Sequence, residues 1–296
     1  MRYLPLPIVD DDAILQTISA DASLAACPHL LLDKSEVIRR YHAYQHAKGN
    51  AASPIAPTPT TLQGILQNTL GDKYGSKAAL FDYIENIRKA REINACPMCG
   101  APELGSVDHI FPQGKFPDLA IFSRNLVPAC LKCNSARQES YLGARPGERV
   151  LHPYFDRVED RLFTAKIEAT NGNYRRPKIT TEILIHEQHP MYAVVNYHYK
   201  VTLMRTRVLI DMDKWWVDFQ RKDEVYFRGL ETAHFTDQKF SDAVDHALRL
   251  SDKEFTTVNN WKSFLFYGLS TNENAKIDLA DTIRKIRSGN LRPDDI

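Results

Sequence analysis

Four of the chain's five cysteines fall in two Cys-x-x-Cys pairs, and the placing of those pairs limits what can fold around them. Cys96 and Cys99 lie in ACPMCG, and Cys130 and Cys133 lie in ACLKCN. Each pair folds tightly enough to turn both sulfurs towards one ion, and two pairs supply the four thiolates of a structural zinc site. The residues between the pairs then form a closed excursion with both ends tied at the metal. In so short a segment the ion supplies much of the folding energy. Four thiolates leave no open position for a substrate, so a structural Zn²⁺ is expected. The competing reading is four free or disulfide-bonded cysteines. Against it stand the odd cysteine count and the opening MRYLPLPIVDDD, which lacks a basic start followed by an apolar core. Both favour a reducing compartment and a cytoplasmic protein. Cys27 stands apart and reads as a small buried hydrophobe.

The excursion carries polar residues of a particular kind. It contains VDHIFPQGKFPDLAIFSRNLVP, with Asp108, His109 and Asn125, and Asn134 directly follows the last cysteine. Hydrolysis of a phosphodiester needs an activated water, neutralisation of charge on phosphorus and help for the leaving oxygen. A neutral histidine is a suitable base near pH 7. Asp108 and Asn134 are good oxygen ligands for Mg²⁺ or a similar ion acting as a Lewis acid. The pattern around them reads strand, loop, strand, helix: Ser106–Phe111, the stretch around Leu126–Val127, then a helix from Leu131 to about Leu142. That helix sets Asn134 and Arg137 one turn apart.

With these residues in hand, 96–137 resembles the His-Asn-His (HNH) endonucleases of the ββα-metal superfamily, in their cysteine-bearing form. The matching pattern is Cys-x-x-Cys, then Asp-His-Ile-x-Pro, then Asn-Leu-x-x-x-Cys-x-x-Cys-Asn. The resemblance implies that His109 is the general base and that Asp108 and Asn134 hold the catalytic ion. Asn125 would tie the loop that holds the histidine. Asn134 in place of a final histidine favours an oxygen-ligated Mg²⁺ or Mn²⁺. Arg137, Lys132 and Lys115 are the basic candidates for phosphate contact. DNA is the expected substrate, cut to 5′-phosphate and 3′-hydroxyl ends. Compact nucleases of this kind with added regions resemble effector subunits of bacterial anti-phage or restriction systems. A regulatory ATPase partner or a homodimer is the implied setting.

The rest of the chain says less. The expected fold class is α+β, mainly α: a ββα-metal core with structural zinc, a helical N-terminal region and an α-rich C-terminal region. The divisions fall at 1–92, with a Pro-rich loop over 50–60, then 93–145 and 146–296. Helices are expected over Asp11–Ala20, Lys34–Ala47, Thr61–Leu70 and Ser76–Glu92, with Asp33 or Ser35 capping the second and Thr60 or Thr61 the third. Further on, LFTAKIEAT reads as a strand before a turn at Asn171-Gly172-Asn173. Helices follow at Met204–Phe227, Asp237–Leu250, Asn259–Tyr267 and Ile277–Ile286. The net charge of +1 advertises no global affinity for nucleic acid, so a binding surface must be local. No run of about 18 apolar residues is present, so no membrane span is expected. His186 and His189 lack metalloprotease spacing and read as surface or packing residues. His152 reads as packing against Tyr154 and Phe155, and Trp215 and Trp216 as core or a partner surface. Tyr174, Arg175, Arg176 and Lys178 read as a solvated turn. Two alternatives to a DNA nuclease stay open: a zinc-stabilised nucleic-acid-binding or scaffold protein without cleavage, and an RNA-cleaving nuclease.

Overall fold

In the computed structural model, which describes residues 1–22, 27–53, 55–58, 81–89, 92–230 and 235–295, two helices open the chain and pack on each other. Asp10 accepts from the Ala13 N–H and caps α1 (Asp11–Ala20), whose first turn is acidic as the helix dipole favours. The second helix, α2 (Cys27–His46), starts a full two turns before the expected Lys34. Leu30, Val37, Tyr41 and Tyr44 make one buried stripe along it, so burial extends the helix through Asp33 and Ser35, which sit inside it and cap nothing. Of the expected helix over Ser76–Glu92, the α-helical part among the described residues is α3 (Asp82–Lys89), with Ile84 and Ile87 buried and Glu92 in a turn beyond it. Thr61–Leu70 and its capping threonines lie outside the described residues.

The expected Pro-rich loop is not a loose linker where it is described. Ala51 and Thr58 are buried. Arg40 on α2 reaches the Ala56 carbonyl and forms a buried ion pair with Asp118. The Thr58 N–H donates to the Lys115 carbonyl.

The cysteine-bearing segment forms β1 (Ser106–His109) and β2 (Leu126–Ala129), paired antiparallel with Ser106 opposite Ala129 and His109 opposite Leu126. The excursion between them closes through two single 3₁₀ turns, Pro117–Leu119 and Ser123–Asn125. Helix α4 (Leu131–Arg137) is capped by Cys130, carries Cys133, packs on β1 and ends at Arg137, short of the expected Leu142.

After residue 150, β3 (Phe163–Thr170) and β4 (Asn173–Ile183) form a hairpin across Asn171 and Gly172. Both turn residues have positive φ, 54° and 75°, the backbone that a two-residue hairpin turn requires. Strand β4 contains the segment read as a solvated turn: Arg175, Arg176 and Lys178 are exposed, but their backbone is extended. Helices α5 (Tyr192–Val201), α6 (Val208–Arg221), α7 (Asp223–Tyr226), α8 (Asp237–Glu254), α9 (Trp261–Ser270) and α10 (Glu273–Arg287) complete the chain. The long helix expected over Met204–Phe227 is thus broken at Lys222. Helix α9 lies on β3, where a Cβ at Gly268 would stand 2.1 Å from the Ala165 carbonyl oxygen. Glycine is what permits that approach. The fold is α+β and mainly helical, and one connected buried core runs through all three expected regions. Among the described residues no helix is long and apolar enough to cross a membrane.

Candidate active site and its metal centre

Cys96, Cys99, Cys130 and Cys133 converge in a dry pocket, and their sulfurs all lie within 4.8 Å of one another. The Cys99–Cys130 and Cys96–Cys133 sulfur separations are 3.7 and 3.9 Å. A tetrahedral ion with Zn–S bonds of about 2.3 Å sets its sulfurs about 3.8 Å apart. None of the four is in a disulfide. Two backbone N–H groups aim at sulfur, Cys130 N at Cys96 Sγ and Cys133 N at Cys130 Sγ. Burial opposes ionisation of the Cys96 thiol, but hydrogen bonds from the other three cysteines hold it well below the ordinary thiol range. Burial pushes the Cys99 thiol well up, and hydrogen bonds among the sulfurs push Cys133 up. Four thiolates in one such space need a cation, and the donor set, the spacing and the burial fit a metal such as zinc.

The first knuckle is docked against the C-terminal helices. Trp261 Nε1 donates to the Cys99 carbonyl at 2.7 Å, and the Trp261 N–H to the Gly100 carbonyl. Gly100 has φ +81°, and a Cβ there would stand 2.2 Å from the Asn259 carbonyl oxygen. His198 on α5 donates through Nε2 to the Met98 carbonyl at 2.6 Å and accepts at Nδ1 from the Leu151 N–H. Burial lowers His198 to a pKa of about 4, so the ring is neutral.

His109 sits half-buried at the end of β1. Its Nε2 lies 2.9 Å from the Ala120 carbonyl oxygen. A carbonyl only accepts, so Nε2 carries the proton and the basic lone pair of the neutral ring is on Nδ1. Asn125 fixes the loop that supplies this carbonyl. Fully buried, it accepts at Oδ1 from the Phe111 N–H and donates through Nδ2 to the Phe111 and Leu119 carbonyls. Tyr44 on α2 braces Asn125 from outside the motif: its hydroxyl donates to Asn125 Oδ1 at 3.3 Å and pairs with His152 Nε2 at 2.8 Å. His152 accepts at Nδ1 from the Tyr154 N–H, and burial lowers its pKa to about 3. It does pack against Tyr154 and Phe155 as expected, and it also enters this network. Neither Tyr44 nor His152 carries a spacing signal that ties it to the cysteine motif.

Asp108, Asn134 and Arg137 are brought together, though not as the resemblance implies. Asp108 is buried and its carboxylate is engaged by Arg137 on both oxygens, at 2.6 and 2.7 Å. Asn134 turns its amide nitrogen, a donor, onto Ser106 Oγ and the Val107 carbonyl. A hydrated Mg²⁺ demands near-octahedral oxygen ligands and keeps several waters. A paired, buried carboxylate beside an amide pinned through its nitrogen does not fit one. Arg137 is itself fully buried, so it is corrected from a phosphate contact to a structural ion pair. Lys132 is exposed on α4. Lys115 is exposed too, 3.5 Å from Glu139 and over the Tyr141 ring. His186 and His189 lie on an exposed turn, and Trp216 is core, its indole N–H bonded to the Tyr174 carbonyl. No protein-family model, no curated protein and no solved structure matches the chain.

Proposed function

We propose that the chain is an HNH-type endonuclease that hydrolyses phosphodiester bonds in DNA, with a structural zinc on the four cysteines and His109 as general base. The observation that carries the reading is the setting of His109. Its ring is held at Nε2 by a carbonyl of a loop that a buried asparagine pins, on a strand closed by a Cys₄ knot. With the proton on Nε2, the basic lone pair of the neutral ring is on Nδ1. In the reaction, Nδ1 takes a proton from water as the oxygen attacks phosphorus in line. The bond from phosphorus to the 3′-oxygen breaks, and that oxygen takes a proton from solvent. The imidazolium then returns its proton to bulk water. The buried loop-pinning by Asn125 positions the base and takes no part in bond making. Exposed Lys132 and Lys115 remain for backbone contact, which fixes position and gives weak sequence preference. A bacterial defence or restriction setting, with an ATPase or a second copy as partner, is part of the same proposal.

The test is nicking of supercoiled plasmid with no divalent ion, with Mg²⁺ and with Mn²⁺, alongside a labelled RNA. Wild type is expected to cut DNA, and His109→Ala to cut about 10²–10⁴-fold more slowly while the fold is retained. A wild type that binds DNA but never cuts, indistinguishable from His109→Ala, would leave the zinc-stabilised binding protein as the better reading. Preferential RNA cleavage would move the substrate to RNA.

A further inference from the structure

The resemblance places a divalent ion on Asp108 and Asn134, and the folded chain puts a guanidinium on the Asp108 carboxylate. Arg137 has five N–H donors, and all five are taken. Nε donates to Asp108 Oδ2 and Nη2 to Asp108 Oδ1. Nη2 also donates to the His109 carbonyl, and Nη1 to the carbonyls of Ile110 and Ser140. The Asp108 carboxylate accepts a third bond, from the His109 N–H at 2.8 Å. Arg137 has no donor left for a phosphate, three of the carboxylate's roughly four acceptor sites are filled, and both side chains are shut from solvent, at 0% and 5% exposure.

We infer that Asp108 is not a cation ligand but one half of a buried clamp, with Arg137, that positions His109. The inference rests on the nuclease reading only for the importance it gives to that histidine. The clamp holds His109 by its own backbone: Asp108 takes its N–H and Arg137 takes its C=O. The excursion holds the same residue by its ring, through the Ala120 carbonyl. Backbone and imidazole are thus fixed from two different elements, α4 and the loop. A buried ion pair adds little net stability over apolar packing. Its forked geometry instead sets direction, and here the direction is that of the strand end. The chain accepts strain to complete it. Gln138 has φ +48°, outside the usual range for a non-glycine residue, and the turn it makes returns the Ser140 carbonyl onto Arg137.

Two measurements on the whole zinc-loaded protein test this, and neither needs nucleic acid. The first is titration with Mn²⁺ alone, followed by calorimetry and electron paramagnetic resonance. Asp108→Asn and Arg137→Gln are expected to match wild type within about twofold, whether wild type binds Mn²⁺ elsewhere or not at all. A wild-type Mn²⁺ site that Asp108→Asn weakens about tenfold or more would overturn the inference, as would a gain of that size in Arg137→Gln. The second is the ¹H–¹⁵N spectrum of the His109 imidazole, Nε2-protonated in wild type. Asp108→Asn is expected to shift or broaden it, and exposed Lys132→Ala to leave it alone. An unchanged His109 signal in a folded Asp108 variant would overturn the positioning role. Where a single variant leaves a lone buried charge and fails to fold, Asp108→Leu combined with Arg137→Met removes both charges and carries the same readouts. A wild type that never cuts DNA would remove the nuclease reading and leave both of these results standing.

Discussion

Replacing Asn125 separates a positioning role from a chemical one. Its amide makes three bonds to backbone: Phe111 N–H at 2.8 Å, Phe111 C=O at 3.1 Å and Leu119 C=O at 3.0 Å. All three partners sit in a dry interior, and residues 111, 119 and 125 are themselves buried. Asn125→Ala removes the side-chain partner of each, and an unpaired buried polar group costs about 1–3 kcal/mol. The donor N–H has one lone acceptor in Asn125, whereas a carbonyl tolerates loss better, so the total is expected near 3–5 kcal/mol. Stability of a domain is about 5–15 kcal/mol, so the variant should fold but lose a large part of its margin. Asn125→Asp gives a sharper result. It keeps the acceptor for the Phe111 N–H and turns an oxygen onto two carbonyl oxygens, replacing two attractions with repulsion inside a low-dielectric core. It should be at least as destabilised as the alanine variant although it is nearly isosteric. Urea denaturation followed by near-ultraviolet circular dichroism measures both. Under the proposed nuclease reading, both variants should lower kcat more than they change KM, because the loop acts on His109 through the Ala120 carbonyl. A loss below about 1 kcal/mol in Asn125→Ala, or an aspartate variant as stable as wild type, would refute the loop-pinning argument.

Two further outcomes follow from buried groups. His152 and His198 are pushed by burial to about 3 and about 4, against an ordinary histidine value of 6.5. Folding therefore gains fully from their neutral forms above pH 6.5, and that gain is lost as pH falls towards 4 and 3, because the unfolded chain takes up protons first. Burial raises Asp11 from 3.8 to about 6, which acts in the opposite sense: its protonated form favours folding below that range and the benefit is gone above pH 6. Two histidines outweigh one aspartate, so stability should drop between pH 7 and 4.5. His152→Gln keeps a donor for Tyr44 and removes a titration, so its stability should fall less steeply with acid; parallel profiles for the two proteins would contradict the assignment. Stripping metal with a strong chelator should melt the cysteine knot, since structural zinc contributes about 10–16 kcal/mol in small zinc domains. Trp261, bonded to the Cys99 carbonyl, should report this as a change in emission, while mild removal of Mg²⁺ should leave it unchanged.

What the sequence disclosed here depended on whether a residue's partner was near it in the chain. Paired cysteines read as a metal centre because each pair is complete within four residues, and only the docking of two pairs was left to the fold. Helix α1 ran over its expected span because its cap and its acidic first turn are local. Helix α2 started earlier than expected because its N-terminal half is held by tertiary burial at Leu30, which overrides the capping signal at Asp33 and Ser35. Strand β4 was missed because three exposed cations hide its alternation. Tyr44 and His152 were out of reach altogether, since 81 positions separate Tyr44 from the asparagine it braces and 108 separate His152 from Tyr44.

Arg137 shows the limit most clearly. Its spacing from Asn134, three residues on one helix, correctly puts both side chains on the face towards β1. A basic residue there reads equally well as a hand for phosphate or as a partner for the aspartate beneath it. The choice turns on depth, and depth is set by how closely α4 lies on the strand. Asn134 decides that distance. Its short amide bonds to Ser106 and the Val107 carbonyl draw the first turn of the helix onto the strand. One turn later on the same face, the Arg137 side chain is fully buried. There a guanidinium must find acceptors for five donors or pay the cost of burying them. Asp108 and three carbonyls supply them, and the residue that looked like the site's link to substrate becomes part of its frame.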